Sequence, residues 1–360
     1  MKKTDSLLSK RFSSDYTTNI RKKNKLDIPI SEVERSSHSH CPFCEGEEAW
    51  LISEVDRIGF PCDTVICKKC QYVFNDSFLI YPEKFYSEYW GLEHWGDPKE
   101  NWNGRTQPDA YCWKRLAYVS MELGARFQEL NNILEIGCGD GCNLLPYHLL
   151  GKQVLGCDFD DKYLSIGRQH GMNLITGGVQ SIPKNKQFDL ILLIHVFEHF
   201  IDLEKEIKTI DTLLNEDGFI YVEVPGLLNW NRKKSALIKE DGFCSSNNFL
   251  EYLQFQHNYH FDMLHLSSLW NKNGFNAICC DEWVRIIFQK KNGETNFLNG
   301  DKSSTDVLSY LQEIEEDYNP TLLNTRKKQL LSPRFIAAQI KRGLLNSIKS
   351  FPKVNQDLSN

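Results

Sequence analysis

The sequence predicts an α/β protein, a doubly wound and mostly parallel sheet preceded by a small cysteine-bearing module. Three observations lead there. Between residues 133 and 289, short apolar runs alternate with stretches of helical length, as expected of successive strand–helix units. A glycine-rich turn, Gly137-Cys138-Gly139-Asp140-Gly141, stands between the first of those strands and the first helix. Upstream, two C-x-x-C pairs lie close together, Cys41/Cys44 and Cys67/Cys70.

The chain of 360 residues is long enough to bury a sizeable core without disulfides. Its 41% hydrophobic and 25% charged residues exclude disorder along the whole length. Residues 1–35 are rich in lysine and arginine with little to bury, and read as a basic flexible tail. Residues 36–80 hold the cysteine module. Residues 81–130 form an aromatic-rich connector, with Phe85, Tyr86, Tyr89, Trp90, Trp95 and Trp102, followed by a helical stretch from Gln107 to Leu130.

Residues 131–290 carry the alternating pattern. Strands are expected at Ile133–Ile136, Val154–Cys157, Asn173–Thr176, Phe188–Ile194, Phe219–Val224, Asn276–Cys280 and Val284–Gln289. Helices are expected at Cys142–Leu150, Asp160–His170, Leu203–Leu214 and Met263–Asn273. The uninterrupted apolar run Phe188–Ile194 suits a central strand buried on both faces. Residues 291–360 read as an accessory segment. It begins polar and ends in an amphipathic helix, Pro333–Phe351, suited to packing on its own domain, on a second subunit or on an anionic membrane surface. No apolar run is long enough for a membrane span, and no apolar segment follows Lys2 and Lys3 as in a secretory signal. The expectation is a cytoplasmic protein.

Of the twelve cysteines, four are informative by spacing. Cys41-Pro42-Phe43-Cys44 and Cys67-Lys68-Lys69-Cys70 are two knuckles separated by residues 45–66. Such a pair presents four thiolates to one tetrahedral ion, and zinc suits sulfur ligands and lends folding energy to so small a module. Four protein ligands leave no open position, so the ion is structural. The competing reading, two redox pairs, lacks a thioredoxin-like βαβ context. Cys62, His38 and His40 are bystanders near enough to substitute.

The glycine turn permits close approach of backbone to a ligand. Asp158, 19 residues after Gly139, closes the next strand, where a carboxylate can accept from both hydroxyls of a ribose. A dinucleotide fingerprint would read G-x-G-x-x-G, but the third glycine here comes one place early. Glu135 and Asp140 would repel a pyrophosphate. A cationic nucleoside without phosphate fits better, and S-adenosylmethionine is one. These residues, with Gly156-Cys157-Asp158-Phe159-Asp160, the run from Phe188 to Phe200 and the run from Leu213 to Pro225, resemble the class I S-adenosylmethionine-dependent methyltransferases. The resemblance covers roughly Ile133 to Gln289. The cysteine module, the Tyr/Trp-rich connector and Gln254-Phe255-Gln256-His257-Asn258-Tyr259-His260-Phe261 are similar to a bacterial subgroup with an N-terminal zinc ribbon. Several members of that subgroup belong to surface-polysaccharide or deoxysugar pathways.

The resemblance implies a seven-stranded Rossmann-like sheet. It implies cofactor contacts from Glu135, Gly137, Cys138, Gly139, Gly141, Asp158 and Phe159, from Val179 through its backbone and Gln180 through its amide, and from His195. Methyl transfer needs an aligned nucleophile and, for some acceptors, a base. The candidates are His195, Glu198 and His199 after the fourth strand, and His257 and His260 from a later segment. The implied acceptor is a small molecule, a nucleotide-linked sugar or glycan precursor. The net charge of −6 and the lack of a basic stripe in the core disfavour nucleic acid. An RNA methyltransferase holding RNA through ribbon and tail, and a non-catalytic scaffold, are the alternatives.

Overall fold

The computed structural model describes residues 1–4, 34–57, 60–87, 98–229, 249, 252–281, 284–291 and 306–316. The chain divides into two compact units, Met1–Trp230 with Phe249–Glu313, and Asn231–Asn248 with Ile314–Asn360. The site described below lies in the first. Most of the basic N-terminal stretch, Tyr89, Trp90, Trp95 and the expected helix Pro333–Phe351 lie outside the described residues.

The elements run in order as β1 (Lys2–Thr4), β2 (Arg35–Ser37), β3 (Glu48–Val55), β4 (Pro61–Cys67), β5 (Val73–Asn75), β6 (Ser77–Leu79), α1 (Pro82–Phe85), α2 (Pro98–Arg105), α3 (Tyr111–Leu123) and α4 (Arg126–Glu129). Then come β7 (Asn132–Ile136), α5 (Leu145–Leu149), β8 (Gln153–Asp158), α6 (Asp161–Gln169), β9 (Asn173–Thr176), β10 (Phe188–Ile194), α7 (Leu203–Leu213) and β11 (Leu214–Glu223). The last are β12 (Tyr259–His260), α8 (Met263–Lys272), β13 (Phe275–Asp281), β14 (Arg285–Lys290) and α9 (Val307–Glu316). The expected strands of the alternating region are all present. The polar stretch before residue 316 holds a helix, α9, that composition alone did not suggest. The expected helix over 107–130 is interrupted at Gly124, which takes φ +56° and caps α3.

The large sheet has the order β13-β14-β11-β10-β7-β8-β9. Strands β11, β10, β7, β8 and β9 run parallel, and β14 is antiparallel to both its neighbours. Strand β10 lies at its centre and shows why the sequence reads as it does. Ile191 and Leu193 face one buried cluster, while Leu190, Leu192 and Ile194 face another, so both faces of the strand are apolar. Helix α7 covers one side with Leu203, Ile207, Ile210 and Leu213 at helical spacing. Aspartates start three of the helices. Asp160, Asp202 and Asp262 each accept a backbone N–H of the first turn, a cap contributing about 1 kcal/mol.

The cysteine module is a five-stranded sheet, β1-β3-β4-β5-β12. Two of its strands come from unexpected places. Lys2–Thr4, grouped by composition with a basic tail, pair in parallel with Glu48–Trp50, and Lys3 bridges Asp63 and Asp76 at 2.5 and 2.7 Å. Tyr259–His260, from the segment after β11, pair antiparallel with Val73–Phe74. The ribbon and the 254–261 segment are therefore one folded unit. Asn75 joins them. It is fully buried, its Nδ2 donates to the carbonyls of Gln254 and His257 at 2.9 Å each, and its Oδ1 accepts from Thr64 Oγ1 at 2.8 Å. Among the described residues no helix is long and apolar enough to cross a membrane.

Asn75→Ala would leave the His257 carbonyl and Thr64 Oγ1 without this partner, and the Gln254 carbonyl with only the His257 N–H at 3.1 Å, so it should cost about 2–4 kcal/mol of stability. Urea denaturation measures this, and a free energy within about 0.5 kcal/mol of the native protein would contradict the role given to Asn75.

Candidate active site

The parallel strands β7, β8, β10 and β11 end on one edge of the sheet, and there most of the candidate side chains collect. The glycine turn follows β7. Gly137 takes φ +71°, and a Cβ on it would stand 2.6 Å from Val196 Cγ2. Gly139 takes φ +54° with nothing within 4 Å of where a Cβ would lie, so its face is open to a ligand. The N–H groups of Gly137 and Cys138 donate to the Cys157 carbonyl at 2.8 and 3.0 Å, tying the turn to β8. The side chain of Cys138 is buried, with its Sγ 2.6 Å from the place a Cβ on Gly156 would take. Any contact of Cys138 with a cofactor is thus through backbone, because its thiol faces the core.

Asp158 closes β8. Its Oδ2 accepts from the Gly139 N–H at 2.9 Å and its Oδ1 from the Asp160 N–H at 3.0 Å. Burial nonetheless raises its pKa above the ordinary value, with these N–H groups opposing. The Phe159 ring lies against Gly178, with Cζ 3.1 Å from a Cβ placed there. Val179 is buried beside this face and Gln180 is exposed. Glu135, at the end of β7, is fully buried. Its Oε1 accepts from Asn143 Nδ2 at 2.7 Å, and its Oε2 has no partner. Burial pushes its pKa up to about 8.

Four further residues complete this edge, and sequence reasoning missed them. Arg115 on α3 grips Glu223 with two bonds, Nε to Oε2 at 2.8 Å and Nη2 to Oε1 at 2.7 Å. Its Nη1 donates to Asn143 Oδ1 at 3.1 Å. Tyr221 Oη donates to Glu223 Oε2 at 2.6 Å. Glu223 sits at the end of β11, and despite burial this grip holds its carboxyl well below the usual range. Nearby, Arg105 Nη1 is 3.2 Å from Asp140 Oδ2. One hint of this network was legible beforehand, an acidic residue in the apolar run Tyr221-Val222-Glu223-Val224.

His195 follows β10 in the left-handed region, at φ +53°. Its N–H donates to the Glu223 carbonyl at 2.8 Å, and its ring Nε2 is 3.3 Å from Glu223 Oε1. Burial lowers its pKa, but Glu198 and Glu223 raise it more, to about 9. Its side chain is 46% exposed, so solvent can reach it. Glu198 and His199 lie one turn on. His257 is buried, and its ring centroid is 4.9 Å from that of His199. Burial and the neighbouring histidines lower its pKa well below the ordinary value. The structure thus brings His195, Glu198, His199 and His257 together. His260 is placed differently. It lies in β12 within the ribbon sheet, with Nε2 3.2 Å from Asn75 Oδ1, and burial lowers its pKa to about 3.

The four cysteines form a second centre. Cys41 and Cys70 have sulfurs 3.7 Å apart, Cys44 and Cys67 3.5 Å, and all four lie within 4.8 Å of one another. Sulfurs about 2.3 Å from a tetrahedral ion stand about 3.8 Å apart. The two knuckles share one geometry. The Glu45 N–H donates to the Cys41 carbonyl and the Gln71 N–H to the Cys67 carbonyl, each at 2.9 Å. Both Glu45 and Gln71 adopt positive φ. Cys62 is buried apart from them, among Phe60, Leu79, Phe85 and Phe255.

Arg115→Met should cost about 3 kcal/mol at neutral pH, because it strands the half-buried Glu223 carboxylate. The sign with pH follows from Glu223. A depressed carboxyl pKa contributes stability that is present above its unfolded value, about 4.3, and is lost as pH falls through the folded one. The gap between variant and native protein should therefore narrow below pH ~4 in denaturation experiments. A gap that stays constant with pH would contradict the pairing.

Comparison with known proteins bears on this edge. Residues 110–279 match the family model described as a methyltransferase domain. Over 145 residues the chain is 28% identical to the ubiquinone biosynthesis O-methyltransferase of Pelagibacter ubique (strain HTCC1062), covering 36% of this chain and 59% of that one. Over 111 residues it is 30% identical to the protein of that name from Bradyrhizobium diazoefficiens, covering 29% and 43%. The chain spans about half the length of these relatives. Among solved structures, an amino pentose methyltransferase from Micromonospora echinaspora aligns at 10% identity with a TM-score of 0.39, over 52% of this chain and 95% of that one. The matched stretch from 110 to 279 takes in the glycine turn and the strands β7 to β11 of the seven-stranded sheet.

Proposed function

We propose that this protein transfers the methyl group of S-adenosylmethionine to a small-molecule acceptor, and that the acceptor is a nucleotide-linked sugar or surface-glycan precursor. The observation that carries the reading is the acidic edge around an open glycine. Glu135 keeps a buried oxygen without a partner, Asp158 is fixed by the Gly139 N–H, and the face of Gly139 is clear. A ligand with an ammonium, a sulfonium and a ribose supplies the positive charge and hydroxyl donors that such a site lacks, whereas a phosphate would meet repulsion. Glu135 would face the ammonium, Asp158 the ribose, and Phe159 with Val179 and Gln180 the adenine. The sulfonium supplies an activated methyl group. His195, solvent-accessible and held by two carboxylates, would orient the acceptor as a donor, and would take its proton only above about pH 9, where the ring is neutral. The sugar class is supported by the resemblance of the ribbon and of the Gln254–Phe261 run to methyltransferases of glycan pathways.

Asp158→Ala should weaken S-adenosylmethionine binding by about a hundredfold or more, the worth of two charge-assisted hydrogen bonds. Isothermal calorimetry reads this, and unchanged affinity would overturn the assignment of the cofactor site. Transfer of labelled methyl groups to nucleotide sugars and cell glycans then tests the acceptor class, which falls if no sugar becomes labelled while another small molecule does.

Cys41, Cys44, Cys67 and Cys70 are proposed to hold a structural zinc ion. The sulfur spacing and the twin knuckles support this, and a closed four-sulfur set leaves the ion no catalytic position. Because β5 and β12 belong to the same sheet, loss of the ion should loosen the 254–261 segment as well. Cys41→Ser should lower zinc content from one per chain toward none and reduce thermal stability, and a stable zinc-free protein would contradict the role.

A further inference from the structure

Glu198 is buried, with a side chain only 2% exposed, and neither of its carboxylate oxygens has a hydrogen-bond partner. Such a group needs a donor as well as a counter-charge, and His195 Nδ1, 3.8 Å from Oε1, is too far away for a hydrogen bond. Its neighbour His199 does not supply a donor when neutral. The Nδ1 of His199 is 2.8 Å from the Gln256 carbonyl oxygen. A carbonyl only accepts, so Nδ1 carries the ring proton and the neutral ring leaves a lone pair on Nε2. That Nε2 is 3.8 Å from Glu198 Oε1. A nitrogen lone pair and a carboxylate oxygen thus face each other at a separation that one cation can bridge.

His257 provides the third corner. Its ring stands nearly perpendicular to that of His199, at 77°, and one ligand atom from each of Glu198, His199 and His257 lies within 4.8 Å of the other two. Ligands about 2.1 Å from an ion stand about 3.4 Å apart at the tetrahedral angle, so small side-chain rotations close the set. The hydrogen bond from His199 to Gln256, with Tyr86 Oη also 2.9 Å from Nδ1, is the kind of outer contact that orients a histidine ligand. The segment that carries Gln256 and His257 is itself held in place. Asn258 Nδ2 donates to the carbonyls of His199 and Phe200 at 2.8 and 2.9 Å.

We propose that Glu198, His199 and His257 bind a divalent transition-metal ion at a site distinct from the four cysteines. Two nitrogens and one carboxylate suit Mn2+, Fe2+, Co2+ or Zn2+ and leave positions open. His195 Nδ1 is 3.8 Å from the same Glu198 oxygen, so the ion stands beside the exposed end of β10. An open position there takes an oxygen of the methyl acceptor. That role rests on the methyltransferase reading, while binding of the ion does not.

The test is titration of the full-length protein with MnCl2, following free Mn2+ by electron paramagnetic resonance after zinc has been counted by elemental analysis. Mn2+ ranks below zinc in affinity and leaves the thiolate centre loaded. The expected result is one Mn2+ bound per chain, weakened about tenfold or more by Glu198→Gln and by His257→Gln. Two zinc ions per native chain, falling to one in both variants, would support the site equally. No bound Mn2+ at millimolar concentration with only one zinc per chain would overturn it, as would unchanged metal binding in both variants. Circular dichroism checks folding. If neither variant folds, pulsed spectra of the native Mn2+ complex decide, since histidine nitrogen couplings support the site and their absence overturns it. Calorimetry with S-adenosylmethionine, run without added metal, reports on the cofactor reading separately.

Discussion

The structure turns on the crowding of carboxylates at one edge of its main sheet. Glu135, Asp158 and Glu223 end three parallel strands, Asp140 sits in the turn after β7, and Glu198 follows β10. Glu135, Asp140 and Glu198 are essentially buried. Leaving such charges unpaired costs several kcal/mol each. The fold answers part of this from within. Arg115 neutralises Glu223, Arg105 approaches Asp140, and backbone N–H groups serve Asp158. It does not answer all of it, because Glu135 retains one orphan oxygen and Glu198 two. Those orphans mark where positive charge or hydroxyl donors have to come from outside the chain.

The same constraint explains why the helix before the sheet matters. Arg115 belongs to α3, outside the alternating strands and helices, yet its guanidinium reaches both Glu223 and Asn143. Asn143 in turn donates to Glu135. One cation thereby links the ends of β7 and β11. The ribbon plays a comparable part on the other side. Through Asn75 it fixes the carbonyls of Gln254 and His257, and Gln256 then fixes the ring of His199. The cysteine centre is therefore a brace for the segment that carries His257, a part it could not play if the ribbon were a separate module.

This division also sets what the sequence discloses. The turn, Asp158 and the strands were legible because each rests on a local pattern, whether glycines at fixed offsets, apolar runs or a residue closing a strand. The C-x-x-C pairs were legible for the same reason, since two knuckles repeat one backbone geometry. Arg115 and Glu223 were not, because 108 residues separate them and an arginine on a helix ordinarily reads as a solvated charge. Strand β12 has two residues, too few for any periodicity, and its pairing partner lies nearly 190 residues upstream. Lys2–Thr4 was hidden by composition. Its lysines look like a tail until Asp63 and Asp76 are seen to meet Lys3. His260 resembled its neighbour His257 in sequence, but it lies in β12 and is tied to Asn75, while His257 precedes that strand and faces His199.

His195 shows how the two halves of the edge are joined. A residue with a Cβ in the left-handed region costs on the order of 1 kcal/mol, and histidine, though found there more often than most, still bears that cost. At φ +53°, however, the chain leaves β10 so that the backbone N–H bonds the Glu223 carbonyl while the ring reaches the Glu223 carboxylate. Two points of attachment to one residue offset the strain and fix the ring direction. Glu223 is also the residue that Arg115 holds. The hydrogen-bonded path therefore runs from Glu135 beside the glycine turn, through Asn143, Arg115 and Glu223, to His195 at the solvent-facing end of β10. Moving any member of that path changes the charge seen at both ends, which is why the glycine turn and the exposed end of β10 have to be read as one electrostatic unit.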